Sequence, residues 1–154
     1  MEKIKEGEKA PNFKGIDQNG NKIELNQLKG KKVILYFYPK DNTPGCTAQA
    51  CNLRDNQAAL IKAGFMVIGV SPDSLTSHEK FATKFELDFP LLPDESKEII
   101  NAYGVWGQKN MYGKIYEGVL RTTFVIDEQG IVEKVFSKVE TANHTEQILK
   151  ALKK

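Results

Sequence analysis

KVILYFYPKDNTPGCTAQAC, residues 32–51, runs from an apolar stretch through a proline-glycine turn into the start of a helical pattern. KVILYFY (32–38) is apolar nearly throughout, as expected of a central strand buried on both faces. Thr43 fits an N-cap, Pro44 the first helical position and Gly64 the residue just past the end, so the spacing predicts one helix from about 44 to 63. FMVIGV (65–70) reads as a second buried strand. A strand, helix, strand unit of this kind favours parallel pairing.

Outward from this unit the pattern continues. Residues 12–17 and 21–25 flank Asn19-Gly20, a hairpin signal. Residues 75–86 read as a helix with Phe81 and Phe85 one turn apart. FPLL (89–92) reads as a short strand and SKEIINAYG (96–104) as a short helix ending at glycine. TTFVID (122–127) and IVEKVFS (131–137) form a hairpin around Gly130. A last helix over 142–153 carries Ile148, Leu149 and Leu152 as its apolar stripe. The expected architecture is α/β: a mixed central sheet with helices on both faces and an N-terminal β-hairpin.

The 154 residues suit a single domain, 1–154. With 22 basic and 20 acidic residues the net charge of +2 gives no nucleic-acid footprint. The terminal KALKK reads as lysines favouring a helix C-terminus. VILYFY is the longest apolar run and is far short of a membrane span. The charged start, MEKIKEGEKAPNF, has no apolar signal region, which sets a cytoplasmic expectation. In that compartment a cysteine pair is redox-active or metal-binding rather than a static staple.

Both cysteines, Cys46 and Cys51, stand in the opening stretch. Cys46 would be the third residue of its helix, where unpaired amides and the positive dipole end favour an anion such as a thiolate. At ~100° per residue Cys46 lies with Ala50, Leu53, Leu60 and Ile61 on the core-facing stripe. Cys51 lies ~140° around, beside Asp55 and Lys62, with its Cα ~8.7 Å from that of Cys46. A disulfide needs about 7 Å or less, so the two sulfurs cannot join while the helix is intact. Either they never pair, or the first turns unwind to let them.

Pro39, Thr43 and Cys46 stand as P-x-x-x-T-x-x-C, which resembles the active-site motif of the peroxiredoxins. NTPGCTAQACNLRD and GVWGQKNMYGKIYEGVLRTTFVID resemble the bacterioferritin-comigratory, or peroxiredoxin Q, subfamily, and with GEKAPNF the likeness runs from about residue 5 to the end. The resemblance implies a thioredoxin-like fold and a thiol peroxidase acting on hydrogen peroxide and organic hydroperoxides. Cys46 would be the attacking thiolate and Cys51 the resolving thiol, through a Cys46–Cys51 disulfide re-reduced by thioredoxin or a similar dithiol protein. Thr43 would hydrogen-bond thiolate or peroxide, and Arg121 would hold the thiolate and polarise the O–O bond. Pro39 would shield the sulfur, and amides around Gly45 and Cys46 would hold the developing oxygen charge. The family leans toward a monomer or weak dimer; the sequence itself calls for no cofactor, metal, nucleic acid or membrane partner. No local rule of the sequence brings Arg121 to Cys46.

A structural zinc site needs about four ligands, and His78 and His144 lack companions at ligand spacing. Both histidines read as solvated helix residues, His144 near the start of the last helix. Asp73, Asp94 and Asp127 follow strand-like stretches, where such acids cap helices and start turns. A protein disulfide oxidoreductase would normally carry C-x-x-C, which is absent. A non-enzymatic relative would be expected to have lost Thr43, Cys46 or Arg121, and all three are present. Nucleotide-binding glycine motifs are missing.

Overall fold

Alternation along Lys32–Phe37 (β3) builds the molecule. Every residue after Lys32 is buried, and successive side chains point to opposite faces. Val33, Leu35 and Phe37 enter one apolar cluster with Phe13, Ile100 and Tyr103. Ile34, Tyr36 and Tyr38 enter the other, with Cys46, Leu53, Phe81 and Ile148. A strand that feeds two cores has to be central, and β3 is. It pairs in parallel with Phe65–Ser71 (β4) and antiparallel with Thr122–Ile126 (β8). Leu91–Pro93 (β5) and Val132–Phe136 (β9) complete a five-stranded mixed sheet in the order β5-β4-β3-β8-β9. The structure is a computed structural model and describes residues 3–152.

On the Cys46 side of the sheet lie Pro44–Asp55 (α1), Gln57–Lys62 (α2), Leu75–Lys84 (α3) and His144–Leu152 (α5). The other side is covered by Glu98–Ala102 (α4) and by the N-terminal segment, whose Lys14–Ile16 (β1) and Lys22–Glu24 (β2) form the expected hairpin. Helices on both faces and a mixed sheet are therefore as the sequence implied. Asp94 accepts from the amides of Ile99 and Ile100, and Asp127 from those of Gln129 and Ile131, so these acids do cap and turn.

Four details differ from the sequence reading. The helix expected over 44–63 breaks at Asn56, whose backbone leaves the helical region. Its side-chain amide donates to the Asn52 carbonyl at 2.8 Å, a local bond that competes with the ladder. The break re-aims the next turns, so Leu60 stays buried while Ile61 is 60% exposed. The helix does stop at Gly64, where φ is +90°. Leu149 is 36% exposed, so of the three apolar stripe residues only Ile148 is fully buried in α5. The two final lysines, 153 and 154, the first of them the expected last helical residue, lie outside the described residues. Neither histidine is solvated: His78 and His144 are both fully buried. Finally, residues 104–120 hold an unforeseen hairpin, Trp106–Met111 (β6) with Lys114–Val119 (β7). No helix among the described residues is long and apolar enough to cross a membrane.

Candidate active site

Thr43 occupies the N-cap position of α1 in extended conformation, Pro44 is the first helical residue, and Cys46 is the third. The Thr43 side chain makes no cap hydrogen bond. Its hydroxyl donates to the Lys40 carbonyl at 2.8 Å, closing the turn before the helix. The first intrahelical bond runs from the Thr47 amide to the Thr43 carbonyl. Pro44 has no N–H, so the amides of Gly45 and Cys46 are the ones helix geometry leaves without an intrahelical partner.

Cys46 is 1% exposed, against Ala50 and Leu53. Across 75 residues of sequence, Arg121 Nη2 donates to its Sγ at 3.2 Å. The guanidinium is held by a second bond, Nη1 to Gln49 Oε1 at 2.7 Å. Gly45 permits this approach, because a Cβ there would stand 3.2 Å from Arg121 Nη2. Arg121, Cys46 and Gly45 thus meet at the start of α1, with a planar cation forked between a sulfur and an amide oxygen.

Gln49 was not singled out in the sequence, yet it is fully buried and fixes Arg121. A signal existed: a polar residue one turn after Cys46 on the buried stripe. Beneath the site the Tyr36 hydroxyl is buried, and burial, with Cys46 second, pushes its phenol well above the ordinary range. It therefore stays a neutral O–H.

An open depression of about 510 Å³ is lined by Arg121 and by Gly45, the residue before Cys46. Pro39, Thr43 and Gly45 form one wall, and Trp106, Lys109 and Tyr116 of the β6–β7 hairpin the facing one. Pro39 is half-buried here. Cys51 is half-buried on α1, and both cysteines are free thiols. The helix that carries them is continuous from one to the other, which holds the two sulfurs apart.

Behind the Pro39–Thr43 turn lies a buried polar cluster. Asp41 accepts from Tyr38 Oη at 2.6 Å and from Ser77 Oγ at 2.8 Å, and contacts His78 Nδ1 at 2.7 Å. Asp73 accepts from the Asp41 amide and from Ser71 Oγ. Asp41, Asp73 and His78 hold ligand atoms within 4.8 Å of one another, the one such group of three among the described residues. Both Asp41 oxygens and one Asp73 oxygen are committed to these hydrogen bonds, and a second, separate depression over the cluster is lined by Lys80 and Lys84. The cluster ties the turn before Cys46 to α3.

His144 is likewise built in. Gln147 Oε1 accepts from the Glu140 amide while its Nε2 donates to the Lys138 carbonyl, which fixes the amide's orientation. His144 Nδ1, 2.9 Å from that Oε1, must then be the N–H, and Nε2 accepts from Thr123 Oγ1 at 2.8 Å. Burial lowers the imidazole to a pKa of about 4, opposed by the Gln147 bond and reinforced by Arg121.

Comparison with known proteins places the chain in a family. The AhpC/TSA family model matches residues 6–135. Peroxiredoxin Bcp of Escherichia coli K12 is 45% identical over 153 residues, 99% of this chain and 98% of that protein. Bacterioferritin comigratory protein of Xanthomonas campestris, solved in a study of its alkyl peroxide reduction activity, superposes with a TM-score of 0.84 at 36% identity over 91% of this chain and 89% of that one. A cysteine-to-serine variant of PrxQ from Xylella fastidiosa gives 0.90 at 28% identity, covering 99% and 97%.

Proposed function

Since the chain belongs to the AhpC/TSA family and is a peroxiredoxin, a thiol peroxidase of thioredoxin-like fold, we propose that its cycle runs between Cys46 and Cys51, with Thr43 and Arg121 as their partners at the peroxide. The contact of Arg121 Nη2 with Cys46 Sγ at 3.2 Å is the observation that carries the reading.

The Cys46 thiolate attacks the nearer peroxide oxygen. An S–O bond forms, the O–O bond breaks, and sulfur gives up two electrons. The departing oxygen leaves as alcohol or water once it takes a proton. Arg121 faces both the sulfur and the incoming oxygens, so charge moving from S to O remains beside the same cation. The amides of Gly45 and Cys46 supply further donors. Because the Thr43 hydrogen is committed to the Lys40 carbonyl, its oxygen accepts the peroxide O–H and aims the oxygen at sulfur. Pro39 limits water at the sulfur.

The product is a sulfenic acid on Cys46. Cys51 attacks that sulfur after the first turns of α1 unwind, an S–S bond forms and water leaves. A thioredoxin-type dithiol then reduces the disulfide. The recycling requires a reducing compartment such as the cytoplasm, and every group of the cycle stands on one chain, so residues 1–154 serve as a single domain in a monomer or weak dimer. Peroxide consumption coupled to a thioredoxin system tests this. Cys46→Ser should abolish turnover, and Cys51→Ser should leave one oxidation per chain without reduction by thioredoxin. Unaltered turnover in Cys46→Ser would refute the reading. A missing Cys46–Cys51 linkage by mass spectrometry after one equivalent of peroxide would refute the role of Cys51 alone.

A further inference from the structure

The peroxide chemistry uses only one wall of the depression. The other wall is the β6–β7 hairpin, which places Lys109 of β6 directly across from Tyr116 of β7. The Lys109 ammonium lies 5.9 Å from the Tyr116 ring centroid, and its stem crosses Gly118, where a Cβ would come within 3.3 Å of Lys109 Cδ. Glycine at 118 thus gives the lysine a track along the hairpin face. Trp106, half-buried on the same wall, is covered from behind by Lys97, whose ammonium is 5.1 Å from its ring.

Charge in the depression is lopsided. Lys40, Lys109 and Arg121 line it against a single carboxylate, Glu117. Arg121 is occupied with Cys46 and Gln49, and Lys40 is exposed at the rim. Lys109 is half-buried and none of the side-chain carboxylates pairs with it among the described residues. Burial pushes its ammonium down, the Arg121 charge pushes it further, and the charge of Cys46 opposes both. A second cation therefore stands within the field of the reacting sulfur without a partner of its own. Hydrogen peroxide and small neutral hydroperoxides give it nothing to bind. A hydroperoxide that carries an anionic group would, with its apolar portion against Trp106 and Tyr116.

We propose that Lys109 is a specificity-determining residue that favours hydroperoxides bearing a carboxylate over their neutral counterparts. The proposal rests on the peroxidase reading above. Lys109 takes no part in bond making; it holds the remote carboxylate while the O–OH end reaches Cys46.

The test compares one alkyl hydroperoxide bearing a terminal carboxylate with its methyl ester, for the wild type, Lys109→Met and Lys109→Arg. Lys109→Met keeps the stem and loses the charge, so the acid-to-ester ratio of kcat/KM should fall about fivefold, the size of a partly exposed ion pair. Lys109→Arg should restore the ratio, and in the wild type added salt should lower it. An acid-to-ester ratio that is the same in wild type and Lys109→Met overturns the proposal. Wild-type turnover of hydrogen peroxide, measured alongside, separates the two readings: its presence with an unmoved ratio sinks only the role of Lys109, and its absence sinks both.

Discussion

Replacing His144 by glutamine should flatten the acid limb of the protein's stability curve. In the folded chain the imidazole is buried and neutral with a pKa of about 4, against 6.5 for the free side chain. The unfolded chain therefore binds more protons between those values, and stability falls as pH falls through the window. The difference is about 2.5 units, or roughly 3 kcal/mol once the pH lies below both values. At pH 7.5 almost none of this is lost. At pH 5 the unfolded group is nearly all protonated and the folded group is not, so the loss is about 2 kcal/mol. For a chain of this size that corresponds to a Tm lower by about 4–8 °C. Carboxylates add their own slope, so the measurement is a difference: Tm by calorimetry at half-unit steps from pH 7.5 to 4.5, wild type against His144→Gln. Glutamine is uncharged at every pH and costs the same throughout. The two curves should converge on the acid side, and parallel curves would refute the reasoning.

Arg121→Lys removes the fork that serves Gln49 and Cys46 together, and loss of one charge-assisted hydrogen bond of about 2 kcal/mol should slow sulfenic acid formation roughly thirtyfold in stopped-flow assays. His78→Leu leaves Asp41 short of one partner, and should lower stability by about 2 kcal/mol in urea titration while loosening the turn that carries Thr43. Asn52→Ala removes the side chain that accepts from the Thr145 amide and donates to the Ala142 carbonyl. It should cost about 1 kcal/mol of stability and yet speed disulfide formation, so less Cys46 reaches the sulfinic state under excess peroxide when followed by mass spectrometry.

What the sequence discloses here depends on how local the cause is. β3 and β4 are plain because strands buried on both faces leave continuous apolar runs. Cys46 at the third helical position follows from Thr43, Pro44 and simple counting. The β6–β7 hairpin leaves little trace because its residues 112–117 are exposed, so no burial alternation marks it. Its turn uses Tyr112 and Gly113, both at positive φ, rather than an Asn-Gly pair. The inward aim of His78 is set by Asp41, 37 residues away, and that of Arg121 by Cys46 and Gln49. Such partners come from distant parts of the chain, and Arg121 follows from the family likeness rather than from any periodicity. The break at Asn56 shows the opposite case: a local side-chain bond overrode a pattern that looked helical across it.

The spacing of the two thiols imposes a mechanical condition that the surroundings of α1 meet. Joining Cys46 to Cys51 means unwinding the segment between them, while Leu53, fully buried two residues on, has to keep its place in the core. The segment is cheap to release: Pro44 contributes no amide bond and Gly45 is a weak helix former. Each residue freed regains about 1–2 kcal/mol of backbone entropy, which largely offsets the hydrogen bonds and burial given up. Beyond Cys51 the resistance rises abruptly. Asn52 binds Ala142 just before α5 and Thr145 and Glu146 in its first turn, and Arg54 donates to the Phe85 carbonyl at 2.7 Å. Unwinding that starts at Pro44 therefore meets its stop immediately after the second cysteine. If the cycle runs through a Cys46–Cys51 disulfide as proposed, that boundary would let a five-residue spacing serve: the loosened stretch would carry both sulfurs, and the helix that remains would still anchor the chain to the sheet.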